Sequence, residues 1–337
     1  MPLTALAPHF AGDGSITFLE REYADAAPGQ LQLRVEANAI CGSDRGQYFN
    51  GSDVVPGHEA VGSVVQAGAG TKVQVGTRGA VILMDYCGVC RNCRSGFTNQ
   101  CTAKRADMGF SHDGGYGPYE IVHESNFFTV GADVSAVEAT LLLDVMGTSR
   151  HALGRAALVR PDIESVYIAG AGPIGLGLLV MAKLVLGGDV PIHISDVTPW
   201  RLDYAERLGG LPVDASQESA LVALSDIDVA FDSTGRQPAR RAALDLLGRR
   251  GVLVCVGHGE GLTIDASADL ISPEHAILGS EYFRFDEMGT NLDLLLAHRQ
   301  ELSQVITHTL PVAEIAEAFE LFLSGRTGKV VVTQAES

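Results

Sequence analysis

The chain has 337 residues, of which 46% are hydrophobic and 19% charged, and its formal net charge is −17. This length exceeds that of a typical single domain, so we expect two folding units with apolar cores. The negative charge would repel nucleic acid and anionic membrane surfaces, so we expect neither as a partner.

The first third of the sequence has the pattern of a β-rich domain. Residues 30–37, 60–66 and 78–84 are apolar or alternating runs separated by glycine-containing turns. Short strands with frequent turns predict a compact, barrel-like domain. Residues 135–156 then show helical spacing without proline, which predicts two helical segments.

From Glu164 the pattern alternates between strand and helix. Short apolar runs typical of buried strands alternate with amphipathic or apolar helices. This alternation predicts an α/β architecture with a doubly wound parallel sheet. The predicted strands are residues 165–170, 191–196, 226–235 and 249–259, and the predicted helices are residues 173–187, 198–210 and 238–249. After Ala276 the pattern is weaker, although a helix over residues 312–325 and a last strand over 329–333 remain clear.

The N-terminal residues lack the basic start, apolar run and cleavage site of a signal peptide. The longest apolar run, Leu176 to Leu186, is interrupted by Lys183 and is too short to cross a bilayer. We therefore expect a cytoplasmic protein. In that reducing compartment, clustered cysteines indicate metal binding rather than disulfides.

A glycine-rich turn with the pattern G-x-G-x-x-G follows the first strand of the alternating region and opens a helix. Its residues are Gly170, Ala171, Gly172, Pro173, Ile174 and Gly175. In this context the glycines permit a tight turn, close approach of the backbone to a pyrophosphate, and close helix–strand packing. The helix N-terminus attracts the phosphates. The sequence therefore predicts a dinucleotide site.

Asp196 lies 21 residues beyond Gly175, at the end of the second strand of this region. A carboxylate there binds the ribose hydroxyls and repels a 2′-phosphate, which favours NAD over NADP; alternatively, Asp196 only caps the next helix. Arg201 is close enough to weaken the discrimination. Thr234, Val256 and His258, at the ends of the next two strands, are further cofactor candidates, although His258 is equally compatible with an ordinary loop residue.

Four cysteines lie within one loop, as Cys87, Cys90, Cys93 and Cys101. Four thiolates close a tetrahedral zinc shell and leave no position for substrate, so we expect a structural zinc. An iron–sulfur cluster is the alternative, but ferredoxin-type motifs place the fourth cysteine sooner and follow it with proline. Thr102 stands there instead.

A second, open set of metal ligands is suggested by Cys41 and His58. A catalytic zinc takes about three protein ligands and keeps one exchangeable position, and Glu59 or Asp144 could supply the third. The alternative is that Cys41 fills a core position and His58 is an ordinary turn residue. The spacing alone leaves both interpretations open.

Five ordered motifs resemble those of the zinc-containing medium-chain dehydrogenases, in particular the sorbitol-dehydrogenase-like members. They are Cys41-Gly-Ser-Asp, Gly57-His58-Glu59, the four-cysteine loop, Gly114-Gly-Tyr and the glycine-rich turn, and the similarity extends to Gly328-Lys329-Val-Val-Val. The resemblance implies a GroES-like catalytic domain formed by residues 1–146 and 278–337, with a Rossmann domain over residues 147–277. It also implies an active site in the cleft between them, two zinc ions per chain, NAD, and a homodimer or homotetramer.

The resemblance also assigns roles to residues. Cys41 and His58 correspond to catalytic zinc ligands, and Glu59 to the acidic residue that ligates the metal or relays through water. Asp144 falls where sorbitol-dehydrogenase-like members carry glutamate, so it implies a polyol or sugar substrate and a contact to zinc that is direct or through water. Thr148 corresponds to a position behind the nicotinamide ring.

Ser43 corresponds to the residue that takes the proton of the alcohol. The histidine that often completes the proton relay is replaced by Gly46, which leaves the ribose hydroxyls, water or His112. Pro118 replaces a residue that is often charged in the family. Arg284 could bind hydroxyl groups of a polyol or form a structural ion pair, and Cys255 fits a core position.

We therefore expect a zinc enzyme that transfers a hydride from a secondary alcohol of a polyol, sugar or cyclitol to NAD. One alternative is another secondary-alcohol or amino-alcohol dehydrogenase of threonine type, although the loop after Cys41 differs from that group. A third hypothesis is a non-catalytic NAD-binding sensor that carries only the structural zinc.

Overall fold

The structure is a computed structural model that describes residues 3–334. The outermost residues of the predicted segments 1–146 and 278–337, namely residues 1, 2 and 335–337, lie outside this range. Among the described residues, no helix combines the length and the apolar character needed to cross a membrane.

The N-terminal part is β-rich, as the turn-separated runs predict. Its strands are β1 (Leu3–Phe10), β2 (Ile16–Tyr23), β3 (Gln30–Ala39), β4 (Ala60–Ala67), β5 (Arg78–Val81), β6 (Met84–Asp85), β7 (Ala106–Asp107), β8 (Tyr119–His123) and β9 (Phe127–Thr129). Its helices are α1 (Arg45–Asn50), α2 (Arg91–Arg94), α3 (Ala136–Ala139) and α4 (Ser149–Ala157). The β1–β2 hairpin was not predicted from the sequence.

The alternating region follows. Its strands are β10 (Val166–Ala169), β11 (Ile192–Asp196), β12 (Leu211–Asp214), β13 (Ile227–Asp232), β14 (Leu247–Cys255) and β15 (Ala276–Gly279). Its helices are α5 (Pro173–Leu186), α6 (Pro199–Arg207), α7 (Glu218–Val222) and α8 (Gln237–Asp245). The strands form one parallel sheet in the order β12-β11-β10-β13-β14-β15. The predicted doubly wound sheet is confirmed.

The C-terminal segment returns to the β-rich part. It contains α9 (Met288–Ala297), α10 (Arg299–Ser303), β16 (Ile306–Pro311), α11 (Ile315–Leu323) and β17 (Lys329–Thr333). Strand β17 pairs antiparallel with β3, and the seven-stranded sheet has the order β16-β17-β3-β4-β5-β9, with β8 also paired to β3. One sheet therefore combines strands from the N-terminal part with β16 and β17 of the returning segment.

A segment with unusual helical geometry lies near the boundary between the two parts. Residues Asp144–Thr148 form one π-helical turn immediately before α4, where the sequence predicts ordinary helix. Helix α5 packs closely against this turn, because a Cβ atom at Gly177 would lie 2.6 Å from the carbonyl oxygen of Val145. The absence of a side chain at Gly177 therefore lets α5 pack closely on the turn that carries Asp144 and Thr148.

Candidate active site

One large cavity, with a volume of about 1260 Å³, runs between the β-rich part and the parallel sheet. Its wall includes Cys41, His58 and Asp144 at one end and the glycine-rich turn at the other. The thiol of Cys41 donates a hydrogen bond to Asp144 Oδ2 at 3.0 Å, and His58 Nε2 lies 3.5 Å from the same oxygen. Three potential metal ligands therefore converge on the cavity.

Asp44 holds two of these ligands in place. It ends the short turn Gly42–Asp44 after β3, and its carboxylate accepts a hydrogen bond from the backbone N–H of Cys41 at 3.0 Å. Its other oxygen lies 3.1 Å from His58 Nδ1, and the hydroxyl of Tyr116 donates to Asp44 at 2.6 Å. Such a contact fixes the orientation of the imidazole ring, so that the second nitrogen faces the metal position.

Glu59 lies behind these ligands and does not line the cavity. One carboxylate oxygen contacts the ammonium group of Lys329 on β17, and both side chains are fully buried. The other oxygen, Glu59 Oε2, is buried without a hydrogen-bond partner among the described residues. A buried oxygen of this kind is costly unless a donor or cation reaches it, which makes Glu59 an additional ligand candidate.

The charges of the cluster suit a divalent cation. Burial and the charge of Asp144 raise the pKa of the Cys41 thiol, and the same two causes raise the pKa of Glu59 to about 8 despite Lys329. Burial alone would lower the pKa of His58, but Asp44 and Asp144 raise it well above its ordinary value. Three acidic groups therefore crowd one buried site. The ligand atoms of Cys41, His58, Glu59 and Asp144 all lie within 4.8 Å of one another, and a thiolate, imidazole and carboxylates fit zinc.

The four cysteines of the loop also converge. The sulfur atoms of Cys87, Cys90, Cys93 and Cys101 lie within 4.8 Å of one another, and all four thiols are free. Backbone N–H groups point at these sulfurs, with Cys90 N donating to Cys87 Sγ at 3.3 Å. Hydrogen bonds from the backbone N–H groups of Cys93 and Thr102 lower the pKa of Cys90 to about 5. Burial and the neighbouring sulfur of Cys90 instead raise the pKa of the Cys93 thiol. Four converging cysteine sulfurs fit a closed tetrahedral metal site.

The glycine-rich turn forms the other end of the cavity, which Gly170, Gly172, Pro173 and Ile174 line. Gly170 has φ of +94°, a backbone conformation that favours glycine. Gly175 does not line the cavity. A Cβ atom there would lie 1.8 Å from the carbonyl oxygen of Gly170, so the absence of a side chain permits the close packing of α5 on the turn.

Asp196 stands beside this turn at the end of β11. Its carboxylate accepts hydrogen bonds from the backbone N–H groups of Ala171 and Thr198, both at 2.9 Å. Arg201 lies 3.4 Å from the same carboxylate and also lines the cavity. The two side chains thus place opposite charges at the position where the sequence predicts the adenosine ribose.

The remaining candidates divide into two groups. The residues Ser43, Thr148, Thr234, Val256 and His258 all line the cavity. His112 does not; its ring nitrogen instead contacts the hydroxyl of Ser111 at 3.2 Å. Arg284 also lies outside the cavity lining, where it donates to the carbonyl oxygen of Gly96 and pairs with Asp286, which supports the structural alternative for this residue.

Tyr282 is a cavity residue that the sequence did not indicate. It is buried, its φ is +47°, and its hydroxyl accepts a hydrogen bond from the backbone N–H of Leu83 at 3.3 Å. A positive φ is rare for an aromatic residue. Together with Leu83 and Phe110 it forms an apolar wall near the metal ligands.

Comparisons with known proteins give consistent matches. The alcohol dehydrogenase GroES-like domain matches residues 27–132, and the zinc-binding dehydrogenase domain matches residues 173–297. L-threonine 3-dehydrogenase of Saccharopolyspora erythraea is 32% identical, covering 92% of this chain and 94% of that protein.

Two solved structures have the same fold. Acetophenone reductase from Geotrichum candidum, in complex with NAD, has a TM-score of 0.86 at 25% identity, with coverage of 99% of this chain and 98% of that one. L-idonate 5-dehydrogenase from Escherichia coli has a TM-score of 0.84 at 24% identity, with coverage of 99% of both chains.

Proposed function

Because the chain belongs to the zinc-binding alcohol dehydrogenase family, we propose that it oxidises a secondary alcohol of a polyol, sugar or cyclitol and transfers the hydride to NAD. The observation that carries this proposal is the convergence of Cys41, His58 and Asp144 on the cavity that the glycine-rich turn also lines. A metal end and a dinucleotide end in one cavity bring a hydroxyl group and a nicotinamide ring together.

We assign Cys41, His58 and Asp144 as the direct ligands of the catalytic zinc, because these three line the cavity whereas Glu59 lies behind them against Lys329. The four-cysteine loop holds the structural zinc. When bound, zinc supplies Lewis acidity towards a hydroxyl oxygen, and NAD supplies the ring that accepts the hydride. The remaining tasks belong to the side chains of the protein.

We assign Ser43 as the residue that accepts the proton of the substrate. It lies two residues after Cys41, is exposed, and lines the cavity. The histidine that often follows in the proton relay is replaced by Gly46. A Cβ atom at this glycine would meet nothing within 4 Å, so the space around it is open. The open space at Gly46 favours water as the next carrier of the proton.

Asp196 and Thr148 position the cofactor. Asp196 binds the ribose hydroxyls of NAD, and Thr148 backs the nicotinamide ring from the π-helical turn that also carries Asp144. Leu83, Phe110 and Tyr282 present apolar surface near the reacting carbon. Such a wall keeps water from competing for the hydride-transfer site.

A carboxylate at position 144 supports a substrate with several hydroxyl groups, through the resemblance to sorbitol-dehydrogenase-like proteins. The second candidate substrate is L-threonine, because relatives named L-threonine 3-dehydrogenase match over nine-tenths of this chain at 30% to 32% identity. No observation favours the non-catalytic sensor, which would have no use for ligands that face the cavity.

The test combines metal analysis with a substrate screen. Two zinc ions per chain and NADH formation from polyols, aldoses or cyclitols are expected. NADH formation from L-threonine alone would replace the first candidate by the second. A single zinc per chain and no NADH from any of these alcohols would contradict the proposal.

The organisation of the chain is also proposed. We divide it into a catalytic domain of residues 1–146 with the returning segment, and a Rossmann domain from residue 147. The proposed Rossmann domain covers residues 147–277 and the returning segment residues 278–337; strand β15, which pairs with β14, ends near this boundary at Gly279. We expect a cytoplasmic homodimer or homotetramer, which sedimentation analysis would test.

A further inference from the structure

Four cationic lysine and arginine side chains line the cavity, and one of them differs from the rest. Three are paired with carboxylates: Lys104 with Asp107 at 2.6 Å, Arg201 with Asp196 at 3.4 Å, and Arg236 with Glu260 at 3.4 Å. Within residues 3–334, Arg45 has no ion pair, and its guanidinium carbon lies 6.0 Å from the ring centroid of Phe49.

The position of Arg45 assigns it to the metal end of the cavity. It begins α1 directly after the turn Gly42–Asp44, so only that turn separates it from Cys41. The paired residues Arg201 and Arg236 instead follow strands of the parallel sheet, at the dinucleotide end. Arg45 is also exposed, so a solute that enters the cleft can reach it.

We propose that Arg45 binds a phosphate or carboxylate group carried by the substrate, so that the enzyme prefers an acidic polyol or sugar derivative to its neutral counterpart. This inference rests on the proposed function. A guanidinium group matches the oxygens of either anion and binds them in a bidentate manner. The protein carries a net charge of −17 and repels anions at long range, so a local unpaired cation would favour the binding of an acidic substrate.

The diphosphate of the cofactor is the other source of the same chemistry. The observations favour the substrate, because the N-terminus of α5 and the glycine-rich turn already offer backbone N–H groups to the cofactor phosphates. Arg45 belongs to the other part of the molecule, beside the proposed proton acceptor Ser43.

The test uses three compounds with the same carbon skeleton: sorbitol, sorbitol 6-phosphate and gluconate. The full-length enzyme, loaded with zinc, is compared with Arg45→Met and Arg45→Lys. The matched control is Arg207→Met, because Arg207 also lies 6.0 Å from an aromatic centroid, that of Tyr204, and does not line the cavity. Two readouts are measured: kcat/KM with NAD, and calorimetric binding of each compound to the NADH complex.

The enzyme should prefer at least one of the two anions to sorbitol, in binding and in kcat/KM. In Arg45→Met, one charge-assisted bidentate contact is lost, so the ratio of the anion's kcat/KM to that of sorbitol should fall about 10- to 100-fold. Arg45→Lys should retain part of the preference for the anion over sorbitol, and Arg207→Met should retain all of it. In the NADH complex the cofactor phosphates are already bound. The heat measured when a compound is added therefore comes from the binding of that compound and not of the cofactor.

Two outcomes would overturn the inference. In the first, the unmodified enzyme binds both anions no better than sorbitol. In the second, Arg45→Met raises KM for NAD and reduces kcat/KM equally for neutral and acidic substrates, which would assign Arg45 to the cofactor diphosphate. Either result leaves the dehydrogenase proposal intact, because that proposal fails only when no alcohol yields NADH.

Discussion

The carboxylate of Asp144 lies 3.0 Å from the sulfur of Cys41, although 103 residues separate the two in the chain. Cys41 follows a strand of the β-rich sheet, whereas Asp144 begins the π-helical turn that packs on α5. The proposed catalytic zinc therefore links the β-rich sheet to the π-helical turn that packs on α5.

Cys41→Ser should remove the catalytic zinc and reduce turnover by at least about 10³-fold, because the remaining ligands no longer supply a thiolate. Metal analysis should show one zinc per chain instead of two, and circular dichroism should stay unchanged. Cys255→Ser is the control, since Cys255 lies outside both ligand sets. Turnover that survives in Cys41→Ser would exclude Cys41 from the mechanism.

Replacement of Asp144 tests whether its carboxylate binds the catalytic zinc directly or only supports the other ligands. Asp144→Asn should weaken zinc binding by about 10- to 100-fold in a chelator competition assay, while Glu59→Gln should have a smaller effect because Glu59 lies behind the cavity wall. If Glu59→Gln proved the more damaging change, the assignment of the third ligand would have to be reversed.

Asp196→Ala should narrow the preference for NAD over NADP about tenfold or more. The change removes the carboxylate that repels a 2′-phosphate and also frees Arg201, which now lies 3.4 Å from it. The ratio of kcat/KM for the two cofactors provides the measurement, with the exposed Asp203→Ala on α6 as the control. An unaltered ratio would show that the ribose binds elsewhere.

Lys329→Met should destabilise the zinc-loaded protein by about 3–5 kcal/mol in urea unfolding, because it leaves the buried Glu59 without its counter-charge. The double variant Lys329→Met with Glu59→Gln should recover much of this loss, since neither charge then remains. Equal stability of the single variant and the unmodified protein would mean that the pair does not act as a buried ion pair.

Cys101→Ser should release the structural zinc and lower the thermal midpoint without a direct effect on the cavity. The loop that holds this site also contacts the returning segment, where Arg284 donates to the carbonyl oxygen of Gly96. Zinc content and the unfolding temperature are the measurements. Full retention of two zinc ions would contradict a four-cysteine site.

The features that the sequence revealed are those encoded locally. The glycine-rich turn and the four-cysteine loop each occupy fewer than twenty residues, and the alternation of strands and helices is a short-range pattern. The β1–β2 hairpin was missed because most of β2 is exposed and shows no regular alternation. The π-helical turn has no pattern that distinguishes it from an ordinary helix.

The partners of the metal ligands required the three-dimensional structure. Tyr116 contacts Asp44 across 72 residues, and Lys329 contacts Glu59 across 270 residues. Each of these residues belongs to a motif that the sequence analysis quoted, but spacing along a chain does not show which motifs meet. Tyr116 precedes β8, which pairs with β3, and the contact between Lys329 and Glu59 depends on the pairing of β17 with β3.

That pairing also bears on the order in which the molecule can form during synthesis. The parallel sheet is built from one uninterrupted stretch of chain, whereas the other sheet needs β17 from the C-terminal end beside β3 from the N-terminal end. Because Lys329 on β17 follows every strand of the parallel sheet along the chain, Glu59 lacks its cation until the ribosome has released the residues that form that sheet. The parallel sheet can therefore form first, and the metal pocket is completed after it.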